Sequence, residues 1–131
     1  MMAPFKDLKD EELEQMININ LISKVNLSKF FVNLLNKREK RSGLLIISSQ
    51  LQNIPAAGSL VYSASARCIS LLGKGLNYEL SNNVDVLTYE PGEIETRGML
   101  TSLLPTISSE SAVKTCMKDF GHQPLAYGTI F

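Results

Sequence analysis

The sequence predicts an α/β fold built on a parallel sheet, and three observations predict it. An apolar run of strand length, residues 43–48, and a second strand, residues 84–89, each follow a long helical pattern, giving the order helix–strand–helix–strand. The first run, Leu44-Leu45-Ile46-Ile47, is apolar at consecutive positions, as a parallel strand covered on both faces is. A further helix, signalled by Ser108 or Ser109 as cap and Glu110 in its first turn, closes the pattern. Strands in this order are joined by right-handed crossovers.

Residues 10–40 read as one long helix. Asp10, Glu11 and Glu12 place negative charge at its start, and Lys37, Arg38, Lys40 and Arg41 place positive charge at its end, before Gly43. Leu13, Ile17, Leu21 and Val25 recur every four residues, and Phe31, Leu34 and Leu35 continue a slightly rotated stripe. Asn20 lies beside that stripe as a polar residue on the helix flank. Residues 50–59, with Pro55 and Gly58, form a loop. A second helix starts at Ser59 or Leu60 and runs to about Ser81, with Val61, Ser65, Cys68, Ile69, Leu72, Leu76 and Leu80 on its buried side. Gly73 and Gly75 lie inside it, each costing on the order of 1 kcal/mol relative to alanine unless a close contact requires it. Pro91-Gly92 ends the second strand, and residues 93–107 read as a loop or broken helix. In the third helix Ala112, Val113, Cys116, Met117 and Phe120 form the apolar face, and Gly121 stops it. Residues 122–131 carry no pattern that assigns an element.

Composition excludes several function classes. The 13 basic and 13 acidic residues balance, so there is no electrostatic footprint for nucleic acid. The basic run Lys37-Arg38-Glu39-Lys40-Arg41 fits a helix end better than a binding patch. With one histidine and the distant Cys68 and Cys116, no metal site is expected, and free thiols point to a reducing, intracellular compartment. The first ten residues are charged and carry no apolar core, so no signal peptide is expected. No apolar run approaches the roughly 20 residues of a membrane span. Asn26-Leu27-Ser28 matches a glycosylation sequon but falls on a helix in a chain without a secretory signal.

The stretch that carries chemistry is residues 49–66. The apolar run leads into Ser48-Ser49, and Tyr62 follows thirteen residues after the second serine. A serine at a strand end and a tyrosine on the next helix can meet at one reacting oxygen, the hydroxyl polarising it while the phenol moves a proton. Serines and tyrosines in loops and helix starts are more often structural, so spacing alone leaves both readings open.

Ile46-Ile47-Ser48-Ser49, then Tyr62-Ser63-Ala64-Ser65, then Pro91-Gly92-Glu93-Ile94-Glu95-Thr96 resembles the second half of a short-chain dehydrogenase/reductase. Tyr78-Glu79-Leu80-Ser81, Asp85-Val86-Leu87 and Glu95-Thr96 are similar to the branch of 17β-hydroxysteroid dehydrogenases and very-long-chain 3-oxoacyl-CoA reductases. The match is clear over residues 17–96 and looser to residue 131. The resemblance implies a partial Rossmann-like, doubly wound domain over residues 1–131, with the N-terminal nucleotide-binding half absent. It implies Asn20, Ser49 and Tyr62 as catalytic residues, with Asn20 holding a water in a proton relay. Tyr62, Pro91, Gly92, Ile94 and Thr96 would meet an NADP(H) nicotinamide.

Two departures qualify that implication. The family pattern is Tyr-x-x-x-Lys, and the lysine position here holds Ala66. A lysine there would lie about 40° round the helix from the tyrosine, where it favours the phenolate, whose free pKa is about 10. Arg67 falls about 140° away and is a poor replacement. No strand–Gly-rich-loop–helix unit for the pyrophosphate occurs in these residues either. The expectation is a steroid or long-chain acyl ketone reductase that is weakly active or inactive in this form. The alternative is a non-catalytic module that dimerises through helices 10–40 and 60–80. The resemblance places it in the cytoplasm or at the endoplasmic reticulum.

Overall fold

The computed structural model describes residues 3–80, 82–96 and 105–128. The long N-terminal helix is a composite. Helix α1 (Asp10–Ile17) starts where the Glu12 carboxylate accepts a hydrogen bond from the Lys9 N–H, at 3.1 Å. A π-helical turn over Asn18–Ile22 follows, in which the Ser23 N–H reaches back to the Asn18 carbonyl. Helix α2 (Ser23–Leu35) then completes it. The expected extension to residue 40 does not occur. Helix ends at Leu35, and residues 36–41 form the turn into β1 (Ser42–Ile47), which redirects the basic run from capping a helix to spanning a connection. Its last member, Arg41, forms a two-pronged pair with Asp85 at 2.8 and 2.6 Å. Gly43 therefore lies in the strand. A side chain there would enter the Phe120 ring, at 2.4 Å from Cβ, so the glycine admits Phe120 onto the sheet.

A 3-10 turn (Gln50–Asn53) leads towards α3 (Leu60–Leu80); Ser81, the expected last residue, lies outside the described residues. Strand β2 (Val84–Glu90) pairs in parallel with β1, Ser42 opposite Val84 through Ile47 opposite Tyr89. Two short strands, β3 (Glu93–Glu95) and β4 (Thr106–Ser108), pair in parallel with each other, so the ends of the segment read as a loop or broken helix are strands. Residues 97–104 of it lie outside the described residues. Helix α4 (Ser109–Asp119) is capped by the Ser108 hydroxyl, which accepts from the Ser111 N–H, and Gly121 follows it at φ +81°. Strand β5 (Leu125–Tyr127), which the sequence did not signal, pairs in parallel with β2 on the side away from β1, giving the order β1-β2-β5.

The sheet is covered on both faces, as a parallel sheet must be. On one face Ile46, Ile69, Val84 and Val86 are buried, with Leu21, Leu35, Leu72, Leu76 and Leu80 of the helices against them. On the other, Leu87 and Tyr89 pack with Ala112, Cys116 and Ala126. The stripe of α3 differs from the expected one. Ser63, Ser65, Ala66, Ile69, Ser70 and Gly73 are its buried residues, and Cys68 is exposed. Small residues let the helix backbone approach the sheet, so volume decides which side faces inward. The α2 stripe is also rotated: Val25, Phe31 and Leu34 are exposed, as are Val113 and Met117 on α4. Among the described residues no helix is long and apolar enough to cross a membrane, and no cluster of three or more potential metal ligands occurs.

Candidate active site

The site forms where the C-terminal ends of β1 and β2 meet the first turns of α3. Three backbone-directed hydrogen bonds assemble it. The buried Ser48 hydroxyl donates to the Ala66 carbonyl at 2.7 Å, the Ser48 N–H to the Tyr89 carbonyl at 2.8 Å, and the Gln50 N–H to the Pro91 carbonyl at 3.0 Å. The segment holding Ser49 is thus fastened to α3 on one side and to the Pro91-Gly92 turn on the other. Ser49 itself is buried, and its hydroxyl accepts from the Leu51 N–H at 3.2 Å, capping the 3-10 turn while retaining its own proton to donate. Tyr62, half-buried, lies one helical turn before Ala66 on the same end of the sheet. Asn20 sits, half-buried, inside the π-helical turn. Single π-helical turns inside α-helices are frequent at functional sites, and here the Ser23 hydroxyl takes the Ile19 carbonyl at 2.6 Å beside it.

Pro91, Ile94 and Thr96 come together as well. With Leu45, Ile47 and Tyr89 they line one side of a cavity of about 300 Å³, completed by α4. Burial pushes the Tyr89 phenol above its ordinary range, with Cys116 adding to the effect, and burial likewise raises the Cys116 thiol. Neither group is poised to titrate near neutrality. Gly92 closes the turn between β2 and β3.

Position 66 holds a buried alanine beside Ser48. Arg67 turns to the loop instead: its guanidinium donates to the side chains of Asn53 at 3.2 Å and Gln52 at 3.5 Å. It therefore braces the 3-10 turn that follows Ser49. The sequence reading missed Ser48, Gln52 and Asn53, whose roles depend on contacts 14 to 18 residues away. The run of small polar residues around the motif was the available signal.

The short chain dehydrogenase family profile matches residues 1–105. The chain belongs to that family. Its fold is similar to a bulky-bulky ketone specific alcohol dehydrogenase from Comamonas testosteroni (TM-score 0.85, 17% identity), covering 99% of this chain and 51% of that one. It is similar also to a short-chain dehydrogenase from Sphingobium yanoikuyae in complex with NADPH (TM-score 0.88, 19% identity), with coverages of 99% and 54%. A 4-hydroxyisoleucine dehydrogenase complexed with NADH gives TM-score 0.77 at 21% identity, covering 91% of this chain and 55% of that one. The chain spans about half the length of these structures; the Sphingobium yanoikuyae enzyme is in complex with NADPH and the 4-hydroxyisoleucine dehydrogenase with NADH. No curated protein matches it in sequence.

Proposed function

We propose that this chain carries the proton-relay half of an NADP(H)-type carbonyl reductase site for a steroid or long-chain acyl substrate, weakened by alanine at position 66. The observation that carries the reading is the pair of anchors on one short segment, Ser48 to Ala66 and Gln50 to Pro91. They hold the serine, tyrosine and Pro-Gly motifs at one end of one sheet. The Ser49 hydroxyl would orient the substrate oxygen and the Tyr62 phenol would move its proton. Asn20, in the widened helix turn, would hold the water that connects the phenol to solvent.

The residues fit a nicotinamide at one end only. Ile47, Pro91, Ile94 and Thr96 offer an apolar cradle with one hydroxyl, suited to the ring and its carboxamide. When bound, that group supplies or accepts the hydride. The ribose end lacks the cation that a lysine at position 66 would place there, and the chain as given carries no glycine-rich loop for the pyrophosphate. Binding by this polypeptide alone is therefore weak, and turnover low or absent.

Titration of the purified chain with NADPH tests this. A dissociation constant on the order of micromolar would show that the ribose and pyrophosphate are held after all, and would count against the weakened site. The Ala66→Lys variant provides a readout without turnover. The Tyr62 phenol, followed by NMR, should titrate lower than in the parent, because an ammonium one turn away favours the phenolate. An unchanged phenol would mean that position 66 does not face the relay.

A second reading is a non-catalytic dimerisation module. It is favoured by a groove of about 430 Å³ between Phe5, Leu13, Ile17 and Leu21 on one side and Leu60 and Cys68 on the other, where Phe5 and Leu60 are exposed. Sedimentation of the parent and of Leu60→Glu separates the two readings. A dimer lost in that variant, together with no response to NADPH, supports the module.

A further inference from the structure

The basic run that reads as a helix end in the sequence is left largely unpaired by the structure. Helix α2 stops at Leu35, and backbone groups close its last turn: the N–H groups of Asn36 and Arg38 donate to the Val32 and Leu35 carbonyls at 3.0 and 3.1 Å. Of the cations in the run, Arg41 finds an acid in Asp85. Lys37, Arg38 and Lys40 are exposed, as is Lys29 on α2, and among the described residues none of these four has an acidic partner. A single acid, Glu39, lies among them.

The balance of 13 basic and 13 acidic residues hides a segregation of charge. After Glu14 the next acidic residue is Glu39, and the span between holds Lys24, Lys29, Lys37 and Arg38. Acid therefore gathers at the start of α1 and base at the end of α2, so the basic end keeps a local positive potential in a chain with no net charge.

Apolar side chains share that end. Phe30 and Leu34, one turn apart and so on one face of α2, are 62% and 53% exposed. Exposed apolar side chains beside unpaired cations suit an anionic bilayer. The ring and the leucine enter the headgroup layer, while lysine and arginine reach lipid phosphates and carboxylates. Charge favours this occupant over two others. A second copy meeting the same patch across a two-fold axis would set cation against cation. A nucleic acid backbone would answer the cations and leave Leu34 against phosphate.

The patch lies at the N-terminal end of β1 and the candidate active site at its C-terminal end. Six residues of strand separate them, roughly 20 Å at about 3.3 Å per residue, so an occupant of the patch leaves the site uncovered. We propose that the end of α2 and the turn 36–41 dock on an anionic lipid surface. Phe30 and Leu34 enter the headgroup layer, and Lys29, Lys37, Arg38 and Lys40 lie over its charges.

Flotation of the full chain with vesicles tests this. Partition onto phosphatidylcholine with about 30% phosphatidylserine should exceed that onto phosphatidylcholine alone by roughly a hundredfold at low salt, and should fall about tenfold or more between about 0.05 and about 0.5 M salt. Combining Lys37→Glu, Arg38→Glu and Lys40→Glu, at three exposed positions, should bring binding down to the neutral level with the thermal midpoint unchanged. The chain has no tryptophan, so Phe30→Trp supplies a single indole, whose emission should move to shorter wavelength with the anionic vesicles alone.

Equal partition onto the two vesicles, undiminished binding of the triple variant, or an unshifted indole in the bound chain would each overturn the proposal. A dimer that Phe30→Glu disperses would assign the patch to a second copy, and tighter retention on single-stranded DNA than on the anionic vesicles would assign it to nucleic acid; either overturns it too. None of these readouts involves a nicotinamide or turnover, so the reading of the active site stands or falls separately.

Discussion

The two ends of α3 are held to the sheet by different means. The second half is locked. Gly73 lies so close to β2 that an added Cβ would sit 2.1 Å from the Thr88 hydroxyl oxygen, and Glu90, with no exposed surface, is bound by Ser70 and by Lys74, the lysine at 3.2 Å. The first half is fastened by the lighter contacts of Ser48 with Ala66 and of Arg67 with the 3-10 turn, and it keeps an open apolar flank at Leu60. The candidate chemistry is in the lightly held half.

The largest effect should follow from breaking the lock at its charge. Lys74→Met leaves the fully buried Glu90 carboxylate with Ser70 as its partner, and leaving a buried charge without its counterion costs up to about 3–5 kcal/mol. Urea denaturation measures it, and a loss below about 1 kcal/mol would mean that water reaches Glu90. Gly73→Ala comes next. Overpacking against Thr88 costs about 1–3 kcal/mol, partly offset by alanine's better helix propensity of about 1 kcal/mol, so a net loss is expected. The thermal midpoint should fall.

Little of that lock was legible. The sequence showed Gly73 and Gly75 as equal blemishes in a helix, because the partner that distinguishes them lies on a strand 15 residues on. Local signals did carry far: Asp10 to Glu12 start α1, Ser108 caps α4, and the run Leu44 to Ile47 is a strand. The misses are long-range or small. The helix end at Leu35 was missed because the basic run at residues 37–41 reads as a helix C-terminus, and β5 is only three residues long. Of the candidate site, the motif residues could be named from the sequence one by one as expectations. The anchors through Ser48 and Gln50 that bring them together were not, since a hydroxyl's partner leaves no mark in spacing.

The two glycines give the next test. A Cβ on Gly75 meets nothing within 4 Å, so Gly75→Ala should raise stability by up to about 1 kcal/mol, the opposite sign to Gly73→Ala two residues earlier. Equal effects at both positions, read in the same urea titration, would show that helix propensity and not contact with the sheet governs this half of α3.

The smallest effect separates the buried ion pair from the exposed one. Arg41 and Asp85 join the start of β1 to β2, with side chains 59% and 25% exposed. Hydrogen bonds from Arg41 hold the Asp85 carboxyl below its ordinary range, outweighing the desolvation that opposes them. A carboxyl whose pKa is lower in the folded state stabilises it above the unfolded value of about 3.9 and loses that contribution as pH falls through the lower, folded one. The parent should therefore lose stability on acidification below about pH 4, and Asp85→Asn should flatten that limb of the curve. Near neutrality the variant should differ little from the parent, because solvent and salt screen an exposed pair. Salt at about 1 M, where the screening length is about 3 Å, should shrink the difference further, whereas the Lys74 and Glu90 pair, whose carboxylate is fully buried, should lose less of its effect.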